Sequence, residues 1–286
     1  MEMTKFDFDN MRRHVRRICG IELAEDKDYL VSQRFEPLAE AHGCTTMGQF
    51  SAMIDSDSQG RLRDEIIAAI TTNETYFFRD DHPFEMFQSL ILPTLANLAD
   101  ERRTRPDARK GSKVAILSAG ASTGQEAYCL SMLINERYPF PSSGSTSADD
   151  YTIVGGDISP RVLAKAISGE YSDAEVARGL VEPYRSRYFS REKTGYTAND
   201  KIRRIVQFRR VNFVEPFTFL GGFDCIFCRN MLIYFDIETK IRILEQFHQM
   251  LPPGGFLVIG ATESLYGLHD RFESKHVCGS IVYIKI

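Results

Sequence analysis

The feature that most constrains this 286-residue chain is a set of short apolar runs, each ending on glycine or a polar residue. Residues 114–118 run into the small-residue loop 119–124, and residues 151–155 run into Asp157. Residues 223–227 run into Arg229 and Asn230, and residues 256–261 follow the break Pro252, Pro253, Gly254, Gly255. Apolar runs this short, without alternation, read as strands covered on both faces. Helical stretches separate them: one over 125–137, one opening at Pro160 behind a Ser159 cap, and one over 237–250. This alternation specifies an α/β domain with a mostly parallel sheet, and residues 280–286 add a final strand.

The first hundred residues have a different texture. Phe8, Met11, Val15 and Ile18 recur at three- and four-residue steps, the mark of a helix with one apolar stripe. Further helices are expected over 29–42, 46–54, 61–71 and 82–98, the last capped by Asp81 with Pro83 in its first turn. Residues 101–113 are charged and turn-rich, with Pro106 and Gly111, and form the expected linker. The reading is therefore a helical domain over 1–100 and an α/β domain over 114–286. A polar loop is expected at 139–150. The irregular stretch at about 171–210 is read as an insertion holding short antiparallel strands.

Several function classes are disfavoured. A formal net charge of -4 makes no global case for nucleic-acid binding. The acidic, discontinuous N-terminus does not read as a signal peptide, and no long uncharged apolar run suggests a membrane span, so a cytoplasmic protein is expected. Cys225 and Cys228 resemble half a zinc site, but at i and i+3 of a strand they point to opposite faces and read as core. The six histidines show no ligand spacing, and no metal is expected.

Open α/β sheets bind ligands beyond the carboxyl ends of their strands. The first such end carries Gly120 and Gly124, which would let backbone approach a ligand closely or would simply make a tight turn. Neither a G-x-G-x-x-G fingerprint nor a P-loop ending is present, so the ligand expected has little phosphate, such as a nucleoside carrying an amino acid. Asp157 would accept from ribose hydroxyls, or else cap a turn. Arg229 and Asn230 mark either a site or a buried Arg–Asp pair.

The strings TNETYFFRD, LSAGASTGQEAYCLSM, GGDISPRVLAKAISGEY, VNFVEPF, FDCIFCRNMLIYFD and LPPGGFLVIGATESL together resemble the bacterial chemotaxis receptor methyltransferases, over nearly the whole chain. The resemblance implies a helical domain followed by a Rossmann-like methyltransferase domain with a small β-subdomain insertion. It implies S-adenosylmethionine as cofactor, S-adenosylhomocysteine as product and no metal. The substrate implied is glutamate side chains on cytoplasmic helices of methyl-accepting chemoreceptors, converted to methyl esters for chemotactic adaptation.

By motif match, Thr75, Phe77, Arg79, Gly120, Glu126, Asp157, Asn212, Phe213, Arg229 and Asn230 are implied to bind cofactor, with Arg79 and Tyr234 at the methyl-transfer position. Gln125, Ala127 and Phe213 depart from the common pattern. Basic residues from Arg178 to Arg210, and the cluster Arg12, Arg13, Arg16 and Arg17, are expected to steer an acidic receptor helix. The enzyme is expected to be a monomer that meets the membrane only through its receptors and binds no nucleic acid. The alternative is a non-catalytic, nucleotide-sensing relative that signals by ligand binding; a methyltransferase for RNA or small molecules on the same fold is a weaker one.

Overall fold

The computed structural model describes residues 1, 3–104, 113–140 and 146–286. Most of the expected linker and part of the polar loop fall outside the described residues. Four helices open the chain: α1 (Lys5–Cys19), α2 (Asp28–Ala41), α3 (Met47–Ser56) and α4 (Arg63–Ile70). Thr4 starts α1 through a reciprocal capping box with Asp7, and Gly20 ends it in the left-handed region at φ 72. The apolar stripe Phe8, Met11 and Val15 meets Phe35, Phe50 and Ile66 in a core separate from the sheet.

Next come α5 (His82–Met86), a π-helical turn at Phe87–Ile91, and α6 (Leu92–Thr104). Asp81 occupies the expected cap position, but at φ 40 its side chain caps nothing. Two expectations fail at this point. Phe84, Phe87, Leu92 and Leu95 pack with Val114, Ile116 and Phe227, so the apolar core divides near residue 72 and not near 100. Periodicity shows that a helix has an apolar face but not which neighbour covers it. The expected linker is also partly helix, since α6 runs on to Thr104.

The α/β domain continues through β1 (Val114–Ala119), α7 (Gln125–Arg137), β2 (Tyr151–Asp157) and α8 (Pro160–Ser168). Ser159 precedes α8 as expected, yet its hydroxyl makes no cap bond. The insertion holds β3 (Glu170–Tyr171), α9 (Asp173–Ala177), α10 (Tyr184–Tyr188), β4 (Phe189–Glu192), β5 (Gly195–Ala198) and α11 (Asp200–Arg203). The chain then completes β6 (Val206–Arg210), β7 (Cys225–Cys228), α12 (Ile237–Met250), β8 (Phe256–Ile259), β9 (Phe272–Val277) and β10 (Ser280–Lys285).

The main sheet has the order β6-β2-β1-β7-β8-β10-β9, and β3-β5-β4 form a separate antiparallel sheet. Strands β6, β2, β1, β7 and β8 are parallel, and β10 runs antiparallel to both β8 and β9. β6 belongs to the main sheet, so the insertion ends before the expected residue 210. Its sequence, VQFRR, is an edge strand with no fully buried residue, which leaves no apolar run to read.

Side chains alternate between two cores. Ile116, Cys225, Phe227 and Val258 face α6 and α7, while Leu117, Ile226, Cys228 and Leu257 face α12. Cys225 and Cys228 thus lie on opposite faces, and burial pushes both thiols well above their ordinary range. From β1 the chain steps outward to β2 on one side and later to β7 on the other. That reversal opens a crevice at the strand tips.

Arg102, within the stretch expected to be a linker, anchors this arrangement. Its two terminal nitrogens donate to Asp224 at 2.8 and 2.6 Å, and Asp224 also accepts from the Ala115 amide at 2.9 Å. The Asp224 side chain is only 6% exposed. Removing one partner of a buried ion pair typically costs about 3–5 kcal/mol. Arg102→Ala is therefore expected to lower unfolding free energy by about that amount in urea titration; a loss below about 1 kcal/mol, the level of a surface ion pair, would contradict the anchor.

Candidate active site

The strand tips and the segment following α4 enclose one cleft, whose empty volume including its open mouth is about 1130 Å³. Thr75, Arg79, Gly120, Glu126, Asp157, Asn212, Phe213, Arg229, Asn230 and Tyr234 all line it. Phe77 does not. It is fully buried, packed edge-on against Tyr171 and Phe189, where it joins the insertion to the main domain.

Backbone conformation shapes the floor. Gly120 has φ 73, and a Cβ there would stand 3.3 Å from Met231. At Gly124, φ is 93 and a Cβ would meet Ala166 and Phe208 at 2.9 Å. Only glycine meets both demands, so the loop can pass tightly from β1 into α7. Asp157 ends β2 and is 7% exposed. Its two carboxylate oxygens accept from the Ser122 and Ser159 amides at 2.8 and 2.9 Å, each keeping lone-pair capacity toward the cleft. Burial raises the Asp157 pKa, with these backbone donors opposing the shift.

Arg229 is the centre of the charged network, with its side chain 2% exposed. It donates to Glu126 at 3.0 Å, to Asp80 at 2.8 Å and to the Arg79 carbonyl at 2.7 Å. An Arg–Asp pair is therefore present, buried on the arginine side with Asp80 exposed, and Arg229 serves the cleft by fixing Glu126 and the 79–80 backbone. Ser118 donates to the other Glu126 oxygen at 2.7 Å. The segment so held is strained: Phe78, Asp80 and Asp81 have φ of 52, 69 and 40. Non-glycine residues adopt such values rarely and at a cost, which concentrates at functional sites. Arg79 itself donates to the Glu74 carbonyl at 2.7 Å and lies over the Tyr76 ring at 5.8 Å.

The helical domain closes the cleft from above. The Glu22 amide donates to the Tyr234 carbonyl at 2.9 Å, and Asn212 donates to the Ile18 carbonyl at 3.1 Å. Arg16 pairs with Asp236, and Arg210 with Asp64. Asn212 also donates to Glu215 at 2.8 Å, so its amide nitrogen is already engaged by protein.

Two further residues went unread in the sequence. Asn73 lines the cleft, and its carbonyl accepts from the Ser122 hydroxyl at 3.0 Å; its place beside Glu74 and Thr75 in the TNETYFFRD string was the available signal. Glu263 accepts from the Asn230, Gly260 and Ile233 amides at 2.9, 2.7 and 3.2 Å, fixing the turn where Asn230 adopts φ 56. Nothing local in ATESL distinguishes that role from an ordinary loop acid.

The expected basic surface is largely neutralised within the molecule. Arg178, Arg185, Arg187 and Arg191 pair with Glu74, Glu182, Glu136 and Asp173, and Arg12 pairs with Glu22. Sequence counts charges but cannot show which of them folding brings together.

The cleft's chemistry selects its ligand class. Glu74, Glu126 and Asp157 line it beside Arg79 and Arg229; with Glu74 paired to Arg178 and Glu126 to Arg229, the acids offer acceptor oxygens for hydroxyl and amino groups. Ile158, Phe213 and Met231 offer an apolar surface for a flat base. Sheet order and cleft together define a Rossmann-like domain with a ligand cleft at the tips of its parallel strands.

Comparison with known proteins takes this further. Residues 73–278 match the family described as CheR methyltransferase, SAM binding domain, and residues 7–71 match CheR methyltransferase, all-alpha domain. The chain is 36% identical over 284 residues to chemotaxis protein methyltransferase Cher2 of Pseudomonas putida, covering 99% of both chains. It is 37% identical over 284 residues to chemotaxis protein methyltransferase 1 of Pseudomonas aeruginosa, again covering 99% of both. With the Escherichia coli chemotaxis protein methyltransferase the identity is 31%, over 94% of this chain and 90% of the other. The chain belongs to the CheR methyltransferase family. The boundary between its two family regions, at residues 71–73, coincides with the division of the apolar cores.

Asp157→Asn keeps the shape of the side chain but removes its charge. A hydrogen bond to a charged group is worth about 1.5–3 kcal/mol, so S-adenosylhomocysteine affinity measured by calorimetry is expected to fall about tenfold or more. If Asp157 accepts from ligand hydroxyls, those bonds would favour the carboxylate and hold its bound pKa below the raised free value. Affinity should therefore weaken as pH falls, starting above the ordinary aspartate value of about 3.9. Wild-type affinity in the variant, or the same acid-side loss in it, would contradict the assignment.

Proposed function

We propose that this chain transfers a methyl group from S-adenosylmethionine to glutamate side chains on cytoplasmic helices of chemoreceptors, giving methyl esters and S-adenosylhomocysteine. The observation that carries this reading is the gathering of Arg79, Tyr234, Glu126 and Asp157 around one cleft between the two domains. When bound, S-adenosylmethionine supplies a methyl group already activated on a sulfonium centre. Glu126 would hold the cofactor's amino group, Asp157 its ribose, and Ile158 and Phe213 its base. Thr75 and Asn230 would complete the polar contacts, while Gly120, whose amide is spent on the Gly156 carbonyl, would let the backbone pass close to the ligand. Arg229 would act by holding Glu126 and the 79–80 backbone in place.

The acceptor needs no general base. Glutamate has an ordinary pKa of about 4.3, so near neutrality it is already ionised and nucleophilic. What the protein must supply is position and dryness. Correct orientation of two reactants is worth roughly 7–11 kcal/mol in favourable cases. Excluding water strips the carboxylate of the hydration that blunts it. Arg79 retains guanidinium donors beyond the one spent on Glu74, in a planar fork suited to a carboxylate. The Tyr234 ring would wall the transfer position. The reading places the enzyme in the cytoplasm as a monomer, and no helix among the described residues is long and apolar enough to cross a membrane.

Incubating the protein with radiolabelled S-adenosylmethionine and a receptor cytoplasmic fragment should give base-labile label on glutamate. Tight cofactor binding with no transfer would instead favour a sensor that signals by binding. Arg79→Ala should lower kcat/KM by about a hundredfold or more, since loss of a charged hydrogen bond to the reacting group costs about 1.5–3 kcal/mol and misplacement adds to it. Wild-type turnover in that variant would remove Arg79 from the mechanism.

A further inference from the structure

The mouth of the cleft continues onto an apolar ridge that the folded chain leaves uncovered. Ile233 lines the cleft beside Tyr234 and is 48% exposed. The chain then enters α12, where Ile237 and Ile241 are 66% and 40% exposed. Spaced four residues apart, these two stand one turn above the other on the same helix face. The opposite face of α12 needs no help from them, since Ile243, Leu244 and Phe247 fill the core. Single exposed apolar residues are ordinary, but three successive isoleucines leading away from a reaction cleft are a surface awaiting a partner.

We propose that this ridge docks the acceptor helix, holding it so that one glutamate side chain enters the cleft beside Tyr234. The proposal rests on the function proposed above and adds the surface that selects the substrate. Two observations favour an amphipathic, acidic helix as the occupant. The ridge begins four residues along the chain from Ile233, which lines the cleft through which an acceptor carboxylate must arrive. The other flank of the mouth is α1, joined to the start of α12 by the Arg16–Asp236 pair. On α1, exposed Arg13 has no carboxylate partner among the described residues. Residues at four-residue spacing form the ridge that interlocks with a second helix, and Arg13 offers one charge to an acid bordering that helix's apolar row.

The test is the double variant Ile237→Glu, Ile241→Glu, assayed on a receptor cytoplasmic fragment at saturating S-adenosylmethionine. Both positions are on the surface, and calorimetric affinity for S-adenosylhomocysteine should match wild type, which verifies the fold. KM for the receptor fragment is expected to rise about tenfold or more, as for loss of interface anchors, with kcat changed far less. The milder pair Ile237→Ser, Ile241→Ser should show the same split if the glutamates disturb folding, and Ile237→Leu, Ile241→Leu should restore the wild-type KM. Unchanged KM in variants that bind cofactor normally would overturn the ridge while leaving the proposed function intact. Absence of transfer by the wild-type protein itself would overturn both.

Discussion

The cleft depends on one buried cation. Arg229, at the tip of β7, is enclosed by Glu126 from α7 and by Asp80 and the Arg79 carbonyl from the segment ahead of α5. A guanidinium held this far from water is tolerable because its two terminal nitrogens meet charge and carbonyl oxygen, Nε alone lacking a partner among the described residues. Those bonds fix three separate pieces of chain relative to one another. The strained backbone at Phe78, Asp80 and Asp81 persists because that network and the Phe78 amide bond to the Cys129 sulfur hold it. Arg79 therefore reaches the cleft from a rigid support.

A second constraint is the way the two domains share the cleft. The sheet supplies the floor through the loop after β1 and the acid after β2, while the helical domain and residues 71–76 supply the roof. The ties between them are polar and partly exposed: Arg16–Asp236, Arg63–Glu215 and Arg210–Asp64. Each is worth little by itself. Such an interface sets the relative placement of the domains without merging their cores, which suits a cleft that must admit a cofactor.

What could be read from sequence follows from burial. The strands β1, β2, β7 and β8 are apolar on both faces and announce themselves; β6 and β9 are edge strands rich in charge and do not. The helix over 237–250 was readable to the residue, because Asp236 caps it and Leu251 precedes two prolines. The domain boundary was not, because α5 and α6 look like their helical neighbours yet bury their apolar faces against the sheet. In the cleft, residues on the strand tips were legible one by one. Their wiring was not: Arg229 lines the cleft, but no sequence pattern shows that its bonds run to Glu126, Asp80 and the Arg79 carbonyl. Phe77 sits inside a motif that lines the cleft but faces the opposite way, into the aromatic cluster with Tyr171 and Phe189. Glu263 acts through three backbone amides, a role that has no sequence pattern.

The central claim is that one cleft, built by the Gly120 loop, Asp157, Glu126 and the 73–79 segment, receives the methyl donor. A crystal structure of the protein grown with S-adenosylhomocysteine tests it most directly. The ligand should lie in that cleft with its ribose at Asp157, its amino group at Glu126 and its sulfur facing Arg79 and Tyr234. Ligand density elsewhere, or in this cleft with the ribose turned away from Asp157, would contradict the account.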